Sequence, residues 1–257
     1  MSHPIRFVFV LHDHQPIGNF DHVFRQALDD CYRPLLSEIA RFPRLRFALH
    51  HSGPLLDWLE EHEASYLADV VALARAGQIE VLGGGFEEPI LASIPARDAL
   101  LQLRRMQDYW LARVGVRPRG AWLAERVWDP ALVPLFAAAG LEFPFVDDVL
   151  FHQAGHPAGP VSGRFQTERA GEALDLFAID RDLRYRIPFQ PVPELERSLL
   201  ELARGDATLT YADDGEKFGF WPGTHEWVFE RGWLRDFFTM LDDHRDVVAT
   251  ALPNAVE

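Results

Sequence analysis

Glu125 stands in the segment Trp122-Leu123-Ala124-Glu125-Arg126-Val127-Trp128, directly after a short apolar run. A lone carboxylate in that place suits a base, a nucleophile or an ion-pair partner for Arg126. The flanking tryptophans add a second signal. Sugars present apolar C–H faces, and large aromatic rings offer matching surface with a polar handle. Further along, Asp213-Asp214-Gly215-Glu216-Lys217-Phe218-Gly219 closes another apolar run. Adjacent residues on a strand point to opposite sides, so only one of Asp213 and Asp214 need face a given reacting atom. Two neighbouring carboxylates also push one pKa upward, which a general acid at neutral pH requires. Asp-Asp-Gly is equally good turn chemistry. Cleaving a glycosidic bond takes two carboxyl groups flanking it, roughly 5–5.5 Å apart when configuration is retained. Glu125 and the Asp pair supply such groups from two different strand ends.

His12, His14, His50 and His51 form a second cluster of reactive types. Alternate histidines with a nearby pair suit zinc. They suit hydrogen bonding to substrate hydroxyls better, because imidazole both donates and accepts. His152 and His156 show a His-x-x-x-His spacing, but the Gly and Pro around them predict a loop, where that spacing loses its helical meaning. No metal is expected. Glu80 lies inside an apolar strand pattern, where a glutamate needs a partner. It lines the site or pairs with an arginine as scaffold. One of Glu87 and Glu88 contacts substrate or caps the next helix. Cys31, the single cysteine, is expected to be a partly buried structural thiol and allows no intrachain disulfide.

These residues need a frame that brings strand ends together. Apolar runs predict strands over 5–11, 45–50, 79–82, 120–123, 143–146, 174–179 (or the end of a hairpin), 207–212 and 247–251. Helical patterns cover 20–42, with Pro34 splitting or kinking it, then 54–76, 97–114, 193–204 and 232–243. A short helix follows Asp129-Pro130 and stops at Gly140. Residues 151–172, rich in Gly and Pro, read as an excursion. Alternating strands and helices imply right-handed crossovers and a mostly parallel sheet. An open doubly wound sheet and a closed barrel compete. No dinucleotide fingerprint follows the first strand, and Gly83-Gly84-Gly85 lacks the spacing of a phosphate loop. Polar residues gather just after strand upon strand, which a barrel would collect at one mouth.

Composition narrows the function classes. The chain has 257 residues, suiting one α/β barrel, and a formal net charge of −14 with no basic run. That excludes the electrostatic footprint of a nucleic-acid binder. The N-terminus lacks the pattern of a signal peptide, and no run approaches a membrane span. A cytoplasmic protein with no membrane partner is expected.

Four ordered segments carry a family resemblance: His14-Gln15-Pro16; Gly77-Gln78-Ile79-Glu80 leading to Gly83-Gly84-Gly85-Phe86; the Glu125 segment; and Asp213 to Gly219 with Trp221-Pro222-Gly223-Thr224. Ser52-Gly53-Pro54-Leu55-Leu56 and Arg184-Tyr185-Arg186-Ile187-Pro188-Phe189 add to it. Over nearly its whole length the chain resembles glycoside hydrolase family 57, above all its 4-α-glucanotransferase and α-amylase members. The resemblance implies an incomplete seven-stranded (β/α) barrel of parallel strands, TIM-barrel-like, and retaining cleavage of α-1,4-glucan through a covalent glucosyl-enzyme intermediate. It puts the nucleophile at Glu125 and the acid/base at Asp214. It puts substrate-binding positions at His14 and Glu80, with His12, Trp122, Asp213 and Trp221 within or beside matching segments. It implies no cofactor. Residues 1–257 are expected to form one catalytic barrel, without the helical region with which members of the family usually continue. A second copy or that missing region is a candidate partner, beside the α-glucan or malto-oligosaccharide substrate. Two other readings stand beside this one. The first is a metal-dependent carbohydrate deacetylase on a related barrel, with Asp13 or Asp147 and histidines as ligands. The second is a non-catalytic α-glucan-binding relative.

Overall fold

The computed structural model describes residues 4–202 and 208–256. Nine strands occur among them: β1 (Ile5–Asp13), β2 (Phe47–His51), β3 (Ile79–Val81), β4 (Gly120–Ala121), β5 (Phe143–Asp147), β6 (Arg164–Arg169), β7 (Glu172–Ile179), β8 (Thr208–Asp214) and β9 (Val248–Thr250). Seven run parallel in the order β3-β2-β1-β8-β7-β5-β4. The two ends of that order meet at a single bridge between Gly83 and Ala121. The Gly83 N–H donates to Gly120 O at 2.8 Å, and the Trp122 N–H donates to Gly83 O at 2.9 Å. The sheet therefore curls into the incomplete barrel expected. β9 adds parallel to the outer part of β1, and β6 pairs antiparallel with β7. The excursion at 151–172 thus ends in a hairpin arm from residue 164 onward, which its Gly and Pro content concealed.

Period-two alternation sorts the side chains into two layers. Phe7, Phe9 and Leu11 of β1 pack outward with Phe47, Leu49, Ile79, Val81, Leu209 and Tyr211 against the helices. Val8 and Val10 point inward and meet Ala48, Phe145, Phe177, Ile179 and Ala212 in the barrel interior. One step further along the strands the inward positions become polar. His12 sits opposite His50 on one side and opposite Asp214 on the other. The strand register alone places these three at the C-terminal mouth.

The first helical stretch contains a π-helical segment, Leu28–Tyr32, just before Pro34. The irregularity therefore comes one turn earlier than the proline suggested. It presses Cys31 and Tyr32 onto the turn after β8, where the Cys31 Sγ–H donates to Gly215 O at 3.1 Å. Gly219 is required there: a Cβ would meet Asp30 O at 2.2 Å. Burial pushes the Cys31 thiol pKa well up, as suits a structural thiol. The helix Val192–Leu202 and β8 match the predicted elements within the described residues. The predictions for residues 203–207 lie outside them. Among the described residues no helix is long and apolar enough to cross a membrane.

Candidate active site

A cavity of about 410 Å³ opens at the barrel mouth, lined by His12, His14, Glu88, Ala124, Glu125, Asp214, Glu216 and Trp221. They come from four strand ends: His12 and His14 from β1, Glu88 from the loop after β3, Ala124 and Glu125 from β4, and Asp214, Glu216 and Trp221 from β8. Glu125 follows β4 in a short 3-10 turn, with φ 53° and ψ 15°, and Arg126 follows at φ 55°. Two successive non-glycine residues in the left-handed region cost of order 1–3 kcal/mol each. Such strain persists only where the surroundings over-determine it, and here it turns the Glu125 side chain into the mouth. Arg126 does not take up Glu125. Its Nε lies 3.3 Å from Asp147 Oδ1 at the end of β5.

The two aspartates after β8 part as alternation requires. Asp213, opposite outward-facing Leu11, is buried and held by Arg184 Nη2 at 3.0 Å and Lys217 Nζ at 2.5 Å. Burial acts to raise its pKa, but Arg184 and Lys217 outweigh burial and hold it below the usual carboxylate range. Asp214 turns inward. Burial, then the neighbouring Asp213 charge, raises its pKa. Neither Glu125 nor Asp214 has a side-chain hydrogen bond or ion pair among the described residues. Two unpaired carboxylates facing one cavity are free to act on a ligand.

The histidines line the wall beside Asp214, since His12 on β1 pairs in register with Asp214 on β8. His12 is buried, stacked on Trp122 at 4.6 Å between ring centroids, and its Nδ1 lies 2.8 Å from His50 Nδ1. Burial lowers the pKa of both rings well below the usual value, with repulsion from His50 second for His12 and repulsion from His51 second for His50, so both are neutral. His12 Nε2 lies 3.3 Å from Glu88 Oε1, and a carboxylate only accepts. One of the two facing Nδ1 atoms donates to the other, the direction being set by the tautomers. His14 Nδ1 pairs with the other Glu88 oxygen. Burial opposes the charge on His14, but Glu88 wins and raises its pKa. Burial likewise raises the pKa of Glu88.

Glu216 forms the floor. It accepts from the His14 backbone N–H at 2.8 Å and from the Tyr32 hydroxyl. Burial pushes its pKa up to about 7. Asp13 lies outside the barrel wall, raised well above the usual range by burial and then by Glu216. Its Oδ2 lies 3.4 Å from His51 Nε2.

Of the residues singled out from sequence, Glu125, Asp214, His12, His14 and Trp221 converge on this cavity. Asp213 stands behind it as an anchor. Trp122 is buried and backs His12 rather than offering an open face. Glu80 does not join them. Opposite inward-facing Ala48, it points into the barrel below the mouth. There its Oε2 accepts from the Asn254 N–H at 3.0 Å, in a separate cavity with Arg119. The chain's C-terminal segment turns back to cap that end, which no local pattern announces. Two lining residues carried weaker signals. Glu88 was one of two equivalent glutamates, and only its φ of 52° brings it to the histidines. Glu216 lay inside the Asp213–Gly219 segment but behind the more conspicuous Asp pair. His12, His14 and Glu88 have ligand atoms within 4.8 Å of one another and could together hold a metal ion. A larger hollow, about 700 Å³, lies by Asp180, Tyr185 and Ser198, away from the unpaired carboxylates.

Comparison with known proteins shows the family and the fold. The model of the family described as glycosyl hydrolase family 57 matches residues 8–256. An α-amylase of Pyrococcus furiosus is 42% identical over 249 residues, 96% of this chain and 38% of that protein. A 4-α-glucanotransferase of Thermococcus litoralis is 43% identical over 245 residues, 95% of this chain and 37% of that protein. The crystal structure of a 4-α-glucanotransferase from the latter organism superposes with a TM-score of 0.93 at 42% identity, over 98% of this chain and 40% of that one. The chain thus spans under two fifths of the length of these curated relatives. A structure described as a polysaccharide deacetylase of Mycobacterium smegmatis has a TM-score of 0.64 at 14% identity, a likeness of fold.

Proposed function

The chain belongs to glycosyl hydrolase family 57, and on that premise we propose that its barrel cleaves α-1,4-glucan with retention, through a covalent glucosyl-enzyme intermediate. One observation carries the reading: Glu125 after β4 and Asp214 at the end of β8, neither with a side-chain partner among the described residues, face the same cavity from different sides of the barrel mouth. Asp214, whose pKa is raised by burial and then by the Asp213 charge, gives a proton to the glycosidic oxygen as the bond to the anomeric carbon breaks. The Glu125 carboxylate attacks that carbon and becomes an ester. Asp214, now ionised, takes the proton of an incoming hydroxyl, which displaces Glu125. Water as acceptor gives hydrolysis and a sugar hydroxyl gives transfer, in keeping with relatives named α-amylase and 4-α-glucanotransferase. His14, Glu88 and Glu216 offer donors and acceptors for sugar hydroxyls, and Trp221 offers an apolar face. An α-glucan partner and a cytoplasmic setting belong to the same proposal.

Incubation of the 257-residue chain with maltoheptaose, products read by mass, tests it. Shorter and longer oligosaccharides together establish transfer, and shorter ones alone establish hydrolysis. Binding without any turnover removes the catalytic reading and leaves a glucan-binding module.

A second reading rests on the His12–His14–Glu88 cluster. It is metal-dependent removal of acetyl groups from a carbohydrate. Neither carboxylate proposed as a ligand from sequence joins that cluster. Asp13 lies outside the wall with His51, and Asp147 lies between Arg126 and Arg184. Stoichiometric zinc in the purified protein, with chelator-sensitive deacetylation of chito-oligosaccharides, would decide for it.

A further inference from the structure

Phe189 is a large apolar side chain held out in solvent by a rigid segment. It is 45% exposed. The carbonyls on either side of it are both fastened: Trp227 Nε1 donates to Pro188 O at 2.8 Å, and Trp233 Nε1 donates to Gln190 O at 2.7 Å. The Gln190 N–H donates back to Arg186 O at 2.7 Å. A phenylalanine with no role gains by folding back onto the core. This one is prevented from doing so.

Its ring lies beside Trp221, with centroids 6.2 Å apart and planes 27° apart. Lys217 Nζ is close to both, 5.4 Å from the Phe189 ring and 5.7 Å from the Trp221 ring. Lys217 is 5% exposed, while Trp221 is 42% exposed. The ammonium therefore holds the inner side of the pair through cation–π attraction, and the outer side stays open. The same ammonium is fixed by Arg184 O at 2.6 Å and by Asp213. Trp221 lines the cavity that holds Glu125 and Asp214, and Phe189 lies beside Trp221 without lining that cavity itself.

We propose that Phe189 and Trp221 form one two-ring platform that binds the C–H faces of successive pyranose rings of an α-glucan, with Phe189 as the outer half. The inference rests on the glucan reading given above. Two fixed, adjoining faces with planes 27° apart suit a chain of flat-sided sugars at little entropic cost. A patch of two rings is far smaller than the area a stable protein partner needs. Phe189 thereby sets how long a ligand the site rewards.

The test is calorimetric binding of maltoheptaose and maltotriose to the whole chain carrying Glu125→Gln, with and without Phe189→Ala. Phe189→Leu and Phe189→Trp are measured alongside, and folding is checked by thermal unfolding. The expected result is a fall of about tenfold in the ratio of maltoheptaose to maltotriose affinity for Phe189→Ala, a loss on the scale of one aromatic contact. Phe189→Leu should show the same fall, and Phe189→Trp should restore the ratio. An unchanged ratio while the Phe189-intact protein binds maltoheptaose overturns the platform and leaves the glucan reading standing. So does a change in self-association without a change in that ratio. Failure of the Phe189-intact protein to bind either sugar overturns the glucan reading and the platform with it.

Discussion

Asp213 and Asp214 are neighbours on one strand and face opposite sides of the barrel wall. Asp213 is clamped by Arg184 and Lys217, while Asp214 looks unpaired into the cavity. Arg184 and Lys217 hold the pKa of the first below the usual carboxylate range, while burial and then the Asp213 charge push that of the second up.

That division makes the pH profile testable. The Asp213 charge is the second cause, after burial, of the raised Asp214 pKa. Asp213→Asn removes a negative neighbour and leaves two cations behind, so the Asp214 pKa must fall. The alkaline limb of kcat against pH, where a general acid loses its proton, is expected to move to lower pH. An unmoved or raised limb would separate Asp214 from the acid role.

Stability should respond to the same residue in the opposite direction of pH. Breaking a buried pair by removing one partner costs about 3–5 kcal/mol. Asp213→Ala is expected to lower stability by that order at neutral pH, read from urea unfolding. The folded-state pKa of Asp213 is depressed below its ordinary value of 3.8. Its contribution is therefore full above that value and is lost as pH falls through the depressed pKa. The gap between parent and variant should close only in strong acid.

Glu80 gives the contrary sign. Burial raises its pKa to about 7 from an ordinary 4.5, and Oε1 is buried without a hydrogen bond. The folded state is penalised as pH rises from 4.5, and the penalty is complete once pH passes about 7. Glu80→Gln keeps an acceptor for the Asn254 N–H and removes the charge. It should raise the melting temperature at pH 8 and change it little at pH 4.5, while maltoheptaose turnover stays at the parent level. Lost turnover in a folded variant would return Glu80 to the site.

Glu125→Gln should reduce turnover of an aryl α-maltoside by about 10³-fold or more, the scale of losses on removing a nucleophile. Glu125→Ala leaves room at the anomeric carbon for a small anion. Added azide should then restore turnover and give a glycosyl azide of inverted configuration. Retained turnover in Glu125→Gln, or an azide product of retained configuration, would rule out the nucleophile role.

The His14–Glu88 pair can be followed without substrate. Glu88 holds the His14 pKa above its usual 6.5 against the pull of burial. In Glu88→Gln only burial and the more distant carboxylates remain, so the His14 ring resonances should titrate at lower pH by NMR. An unchanged titration would mean that the two groups do not pair in solution.

The elements and the candidate carboxylates were legible in the sequence because they depend on local patterns. Apolar runs with helical periods between them dictate strands and crossovers, and the register of β1 with β2 and β8 carries His12, His50 and Asp214 to one level. Alternation along a strand was enough to say that Asp213 and Asp214 must part. Local pattern says nothing of which segment closes over which. Tertiary structure decided that Glu80 meets the returning C-terminal segment, that Trp122 backs a histidine, and that a left-handed Glu88 faces His12 and His14. It also decided that Phe189 and Trp221, far apart in the chain, lie side by side over one buried lysine. Each of these depends on contacts between residues distant in sequence, whose free energy exists only once the barrel has closed.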